Sequence, residues 1–379
     1  MNQGWLRSML GILLLVSLSA CGDDAPGGTD ADVGPTPEAG AEGGPGMVQP
    51  IEAEPQTWTW VDFPNSRCGN GEPTGIGVSL NPDSDRLYIF LEGGGACWNE
   101  VTCYGGGGEE PIASNISDGY DAYSFELDLG MFYRNSFART DMDNPLRDYN
   151  MVYVPYCTGD VHSGDNIAMH GGRETHHAGG ANVSAFMERV AVTLPDVEYV
   201  VLAGRSAGGF GSLGAWNRVK AAFPEVRVDM FNASGPAPPA ESIGGGLYDL
   251  WRAAWGYDPM IPADCDGCAG SLDRLFGYYA DRYPDHRFAL TSYSQDAVIA
   301  SFFNQSIEEF EVMLKTILRT HFTTRDNLHY FVTPGDLHTM LGAWTMVEQN
   351  GVTVRDWMGQ MISDDASWTT IEPEGFLAE

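Results

Sequence analysis

Six short runs of β-branched and aromatic residues recur along the chain: RLYIFLE (86–92), NMVYVPY (150–156), EYVVLAG (198–204), VRVDMFN (226–232), RFALTSY (287–293) and LHYFVTP (328–334). They are continuously apolar rather than alternating, which predicts strands buried on both faces, as in a parallel sheet. Three intervening segments, NVSAFMERVAVTL (182–194), SLGAWNRVKAAF (212–223) and SIEEFEVMLKTIL (306–318), repeat apolar residues three and four apart and predict helices. Strands alternating with helices predict an α/β fold: a mostly parallel central sheet with helices on both faces.

The amino-terminal pattern is different. Residues 1–20 carry one basic residue, Arg7, and an apolar core, MLGILLLVSL (9–18), too short to be a permanent span. The core ends in Leu18-Ser19-Ala20-Cys21, which resembles a bacterial lipobox, so cleavage before Cys21 and lipidation of that cysteine are expected. Ordinary signal cleavage with an incidental cysteine is the alternative. Residues 21–57 are rich in Gly, Pro, Ala and acid, without apolar periodicity, and read as a disordered tether. Residues 58–379 are then expected to form the folded domain of an exported protein, lipid-anchored in the bacterial cell envelope, with the outer membrane or cell surface favoured because Gly22 follows the cysteine.

Charge narrows the partners. The formal net charge is −32, and without the signal segment and the tether's acids residues 58–379 still carry −25. Such a surface repels phosphate backbones, so no nucleic-acid partner is expected. Setting Cys21 aside leaves six cysteines, an even number that argues for disulfides in an exported chain. Cys97 and Cys103 are close in sequence, as are Cys265 and Cys268, so local loops would leave Cys68 with Cys157. A zinc or redox role for Cys265 and Cys268 is the rival reading, but no second ligand pair has matching spacing. No metal or cofactor is expected.

The chemistry centres on VVLAGRSAGGFGSLG (200–214), where Ser206 stands between Gly204 and Gly208. G-x-S-x-G alone is a weak signal in a glycine-rich chain. Here a predicted strand precedes it and a predicted helix follows, the context of a nucleophile elbow. A base and an acid are expected in the order Ser, acid, His. His338 follows the last predicted strand, whereas His286 and His329 fall beside or within strands and His321 ends a helix; His338 is the candidate base. Asp296 lies in the loop after the preceding strand and is the candidate acid; Asp281 and Asp285 precede that strand, Asp264 and Asp266 belong to the cysteine loop, and Asp336 is too near His338. The oxyanion donors are expected from Ala207 and from the glycines of LEGGGACWNEVTC (91–103).

These stretches, together with VYVPYCTGDVHSGD, SYSQDAV and the final GDLHTM, resemble the pectin acetylesterase/Notum family of serine esterases. The resemblance implies an α/β-hydrolase fold with Ser206, Asp296 and His338 as its triad and amides of Gly94, Gly95 and Ala207 as its oxyanion donors. It also implies an acyl-ester substrate. Two departures stand out: Ala96 replaces the Trp that follows the glycines in plant members, and their cysteine after the histidine motif is missing. His162 reads as structural rather than substrate-contacting, and His176-His177 as packing or capping, not a metal pair, since adjacent residues diverge. A monomer acting on an acylated carbohydrate or small ester is expected, with acetyl as the acyl group. The acidic surface suits a neutral glycan better than polygalacturonate. A non-catalytic glycan-binding module, a lipase or carboxylesterase, or a peptidase on the same scaffold are the alternatives.

Overall fold

The structure is a computed structural model that describes residues 48–106, 110–244 and 246–378. The signal-like segment, Cys21 and residues 21–47 of the expected tether lie outside the described residues. Residues 48–57, expected as tether, instead lie along the folded domain: Ile51 is buried, and its N–H donates to Thr193 Oγ1 at 2.8 Å. One buried isoleucine in an otherwise polar stretch left little periodicity to read.

The longer strands are β1 (Thr59–Phe63), β2 (Thr74–Ser79), β3 (Arg86–Leu91), β4 (Asn150–Val154), β5 (Asn166–His170), β6 (Arg173–His177), β7 (Tyr199–Arg205), β8 (Arg227–Ala233), β9 (Phe288–Tyr293) and β10 (Leu328–Thr333). Eight of them form one sheet in the order β1-β2-β4-β3-β7-β8-β9-β10. From β4 to β10 every pairing is parallel, and β2 is antiparallel to both of its neighbours. All six sequence-predicted strands lie in this sheet, within two residues of their expected ends. β5 and β6 form a separate antiparallel hairpin.

Helices α1 (Glu100–Tyr104), α2 (Ala122–Asp128), α3 (Gly179–Thr193), α4 (Ala207–Ala222), α5 (Leu247–Trp255), α6 (Arg274–Arg282), α7 (Ala297–Phe302), α8 (Ile307–Ile317) and α9 (Val354–Ile362) connect the strands. The strand side chains alternate between two cores, as their twofold period requires. Leu87, Ile89 and Leu91 join Val200, Leu202 and residues of α3, α4 and α8 in one core. Tyr88, Phe90, Val201, Phe231 and Phe331 join Phe125 of α2 and Trp357 of α9 in the other, which is the more aromatic. Burial on both faces explains why the strands read as unbroken apolar runs. The mostly parallel sheet with helices around it is an α/β-hydrolase-like architecture.

Parallel register decides what meets at the carboxyl edge. Leu91 of β3 pairs with Gly204 of β7, and Tyr293 of β9 with Thr333 of β10. The loops carrying Glu92, Ser206, Asp296 and His338 therefore all leave the same edge of the sheet. Three disulfides, Cys68–Cys157, Cys97–Cys103 and Cys265–Cys268, join the six cysteines as the local-loop reading left them.

The β5–β6 hairpin contains a buried histidine pair. His177 Nδ1–H donates to Thr158 O at 2.9 Å, so its Nε2 accepts from His170 Nε2–H at 3.0 Å. Burial pushes the His177 pKa down to about 4. His177 is neutral when folded but takes up a proton near pH 6.5 when unfolded, so the unfolded state binds more protons between those values. Stability is expected to fall as pH drops from 6.5 towards 4, by roughly 3 kcal/mol at most from this residue. Denaturant unfolding of the protein and of His177→Gln at several pH values checks this: the gap between them should narrow on acidification, and a constant gap contradicts the assignment.

Candidate active site

The turn between β7 and α4 puts a non-glycine residue in a region glycine usually occupies. Ser206 has φ +54° and ψ −121°. Its N–H donates to Ala233 O at 2.9 Å, and its carbonyl accepts from Phe210 N–H at 3.0 Å, so both ends of the turn are tied down. Small neighbours are obligatory. A Cβ at Gly204 would meet the carbonyl of Gly208, and one at Gly208 would meet that of Leu91. A Cβ at Gly93 would lie 2.7 Å from Arg205 O and 2.9 Å from Ser206 Cβ. The glycines thus let the β3 loop, the β7 end and α4 crowd around the serine.

Asp296 and His338 come together as chain order implied. His338 Nδ1 lies 2.7 Å from Asp296 Oδ2. A carboxylate only accepts, so Nδ1 carries the proton and Nε2 presents its lone pair, the tautomer a general base needs. Asp296 is wholly buried and is the N-cap of α7, its Oδ1 accepting from Val298 N–H at 3.1 Å and Ile299 N–H at 3.0 Å. The acid loop is also tied to the histidine loop: Gln295 N–H donates to Gly335 O at 3.0 Å and Ala297 N–H to Asp336 O at 3.1 Å. His338 Nε2 is buried without a hydrogen-bond partner among the described residues. The Ser206 hydroxyl makes no hydrogen bond to it; such contacts often tighten only around substrate.

The glycine loop after β3 supplies backbone donors. Gly94 (φ +146°) and Gly95 (φ +76°) have conformations that a side chain would strain, and a Cβ on Gly95 would meet Ile112 O. Gly93 N–H donates to Glu92 Oε1 at 2.7 Å. The N–H groups of Gly94, Gly95 and Ala207 have no acceptor among the described residues. Cys97–Cys103 closes the loop, and Trp255 Nε1–H donates to Cys97 O at 2.6 Å, fastening it to α5.

Ser206, Ala207 and Gly95 border a narrow cavity of about 40 Å³, partly open to solvent. Its walls are apolar, formed mainly by Trp98, Phe210, Trp251, Ile299, Phe302 and Phe303. Sequence reading missed this pocket, because its walls come from six separate segments whose apolar residues look like ordinary core. The other histidines are engaged elsewhere. His321 Nε2 lies 2.8 Å from buried Asp273 Oδ2, and the His329 ring lies 4.5 Å from that of Trp368. His286 Nδ1 contacts the Val228 backbone, and His176 contacts Glu174 at 3.0 Å. His162 is buried outside the cavity wall, with its Nε2–H donating to Glu92 O at 2.8 Å.

Comparison with known proteins gives these features a context. Residues 61–237, which contain the serine turn and the glycine loop, match the family described as Pectinacetylesterase. The palmitoleoyl-protein carboxylesterase NOTUM of Schmidtea mediterranea is 33% identical over 175 residues, covering 42% of this chain and 30% of that protein. The Homo sapiens protein of the same name is 26% identical over 174 residues, covering 44% of this chain and 34% of its own. Notum2 of Xenopus laevis is 27% identical over 178 residues, with 44% and 33% covered. The chain spans about a third of the length of the curated relatives it matches. Residues 61–237 are thus similar to the pectinacetylesterase family and to the Notum carboxylesterases, and they lie in an α/β-hydrolase-like sheet.

Proposed function

We propose that the protein is an exported serine esterase in which Ser206 is the nucleophile, His338 the general base and Asp296 its orienting acid. The observation that carries this reading is the Asp296–His338 hydrogen bond, which leaves Nε2 free on the sheet edge that also carries Ser206. In the reaction Ser206 Oγ attacks the ester carbonyl while His338 Nε2 takes its proton. The carbonyl oxygen becomes an oxyanion and accepts from the Gly94, Gly95 and Ala207 amides. Collapse of this intermediate breaks the carbon–oxygen bond to the alcohol, which leaves with the proton from His338. A water, deprotonated by the same nitrogen, then attacks the acyl-enzyme and releases the acid and Ser206.

The apolar cavity wall favours an acyl chain somewhat longer than the acetyl group expected from the sequence. The alcohol side is read as neutral, a carbohydrate or small alcohol, because none of the cavity's lining residues is basic and the domain is acidic. Attachment to the cell envelope through lipidated Cys21, as a monomer, completes the proposal.

Ser206→Ala and His338→Ala are each expected to lower kcat by several orders of magnitude, and the double variant to be little worse than either. Asp296→Asn should fold and lose roughly 10⁴-fold in kcat through the wrong imidazole tautomer. Steady-state kinetics on a p-nitrophenyl ester checks all three; additive losses would mean that the residues do not work as a unit. Along an acyl series from acetate to decanoate, kcat/KM should rise up to about fourfold per methylene while the pocket fills, since each buried methylene contributes about 0.8 kcal/mol. A decline from acetate onwards would instead support an acetylesterase.

A further inference from the structure

Two charged residues stand just ahead of the groups proposed to do the chemistry. Glu92 precedes Gly93-Gly94-Gly95, and Arg205 precedes Ser206. Because Leu91 pairs with Gly204 in parallel register, the next residues of β3 and β7 are level with one another. Arg205 Nε–H donates to Glu92 Oε1 at 2.5 Å, and their side chains are only 32% and 13% exposed. The guanidinium is held firmly in its charged form by this carboxylate, against the cost of burial.

Glu92 is fixed from several further directions. The same Oε1 accepts the N–H of Gly93 at 2.7 Å, and the Glu92 N–H donates to Val154 O at 3.0 Å. Its carbonyl accepts from His162 Nε2–H at 2.8 Å. His162 is itself constrained: it is 2% exposed, has φ +56°, follows Val161 at φ +49°, and has its ring 4.9 Å from that of Tyr156. Two consecutive non-glycine residues at positive φ, one of them β-branched, are costly and persist only where the surroundings enforce them. The enforcing contacts are visible. Val161 N–H donates to Tyr156 Oη at 2.9 Å, and a Cβ at Gly211 of α4 would crowd Val161 O at 2.6 Å and His162 Cβ at 3.1 Å.

We propose that Glu92 is a positioning residue for ester hydrolysis, with Arg205 and His162 acting through it to set the glycine amides against Ser206. The inference rests on the serine-esterase reading above. Oxyanion donors act only when held within about 0.5 Å of the productive place, and each is worth roughly 10²–10³ in kcat. Glycines cannot hold such a position themselves, because they lack side chains and have wide conformational freedom. Glu92 takes up the Gly93 N–H, leaving those of Gly94 and Gly95 open. Its carboxylate is joined to the residue before the nucleophile, and its carbonyl to the ring packed on the nucleophile's helix. The ion pair is neutral overall, so it adds no net charge beside a developing oxyanion.

Glu92→Gln keeps the shape and removes the charge, so it separates positioning from packing. Expected are a 10- to 100-fold fall in kcat with KM within threefold, and an equal loss of affinity for an alkyl trifluoromethyl ketone, which forms a tetrahedral oxyanion on the serine. Inhibition by 1-octanol, which is uncharged and forms no tetrahedral oxyanion, should not change. His162→Gln, which keeps a donor, should retain more ketone affinity than His162→Leu. Arg205→Lys, which keeps the charge but not the Nε donor, supplies the same comparison should Glu92→Gln not fold. Unchanged ketone affinity in the folded variants, whatever their melting temperature, overturns the proposal. If Ser206→Ala retains activity, the serine-esterase reading itself has failed; if Ser206→Ala is inactive while Glu92→Gln binds the ketone normally, only the positioning role has.

Discussion

Everything at the carboxyl edge of the sheet depends on one close approach: a strand, a loop and a helix meeting around Ser206 with no room for side chains between them. The carbonyls of Leu91 and Gly208 occupy the places that Cβ atoms of Gly208 and Gly204 would take. The serine itself is held at φ +54° by hydrogen bonds on both of its peptide groups. Strain of this kind costs on the order of 1–3 kcal/mol and is maintained only by the rigid sheet and helix around it. The return is geometric: the serine stands beside unpaired backbone amides and an apolar cavity, on the edge where Asp296 and His338 also meet.

The same crowding explains the division of labour among the surrounding residues. Glycines supply amides but no anchoring, so the anchoring falls to neighbours with side chains. Asp296 fixes His338 and caps α7, whose Ile299 both donates to that carboxylate and walls the cavity. Trp255 fastens the glycine loop to α5 while walling the same cavity. Pocket and chemistry are therefore built from shared parts, and a change in one is expected to reach the other.

The parallel core was legible because strands buried on both faces are uniformly apolar, and the partners of Ser206 because a parallel sheet delivers successive loops to one edge. β1 and β2 were not legible. β2, TGIGVS, carries Gly75 and Gly77 where a strand pattern wants side chains; a Cβ at Gly77 would meet the Phe125 ring and one at Gly75 the Val61 carbonyl. The glycines that open α4, Gly208, Gly209 and Gly211, have poor helix propensity and serve close packing instead. The cavity walls and the Glu92–Arg205 pair were hidden because they join residues more than a hundred positions apart, and no local pattern records such contacts.

The central claim is that ester hydrolysis passes through a covalent bond to Ser206. Intact-protein and peptide mass spectrometry after rapid acid quench of the enzyme with a p-nitrophenyl ester tests it most directly. The account predicts the mass of one acyl group on the peptide containing Ser206, absent from Ser206→Ala. Turnover with the acyl group on another residue would contradict it, as would Ser206→Ala turning over the ester at the normal rate.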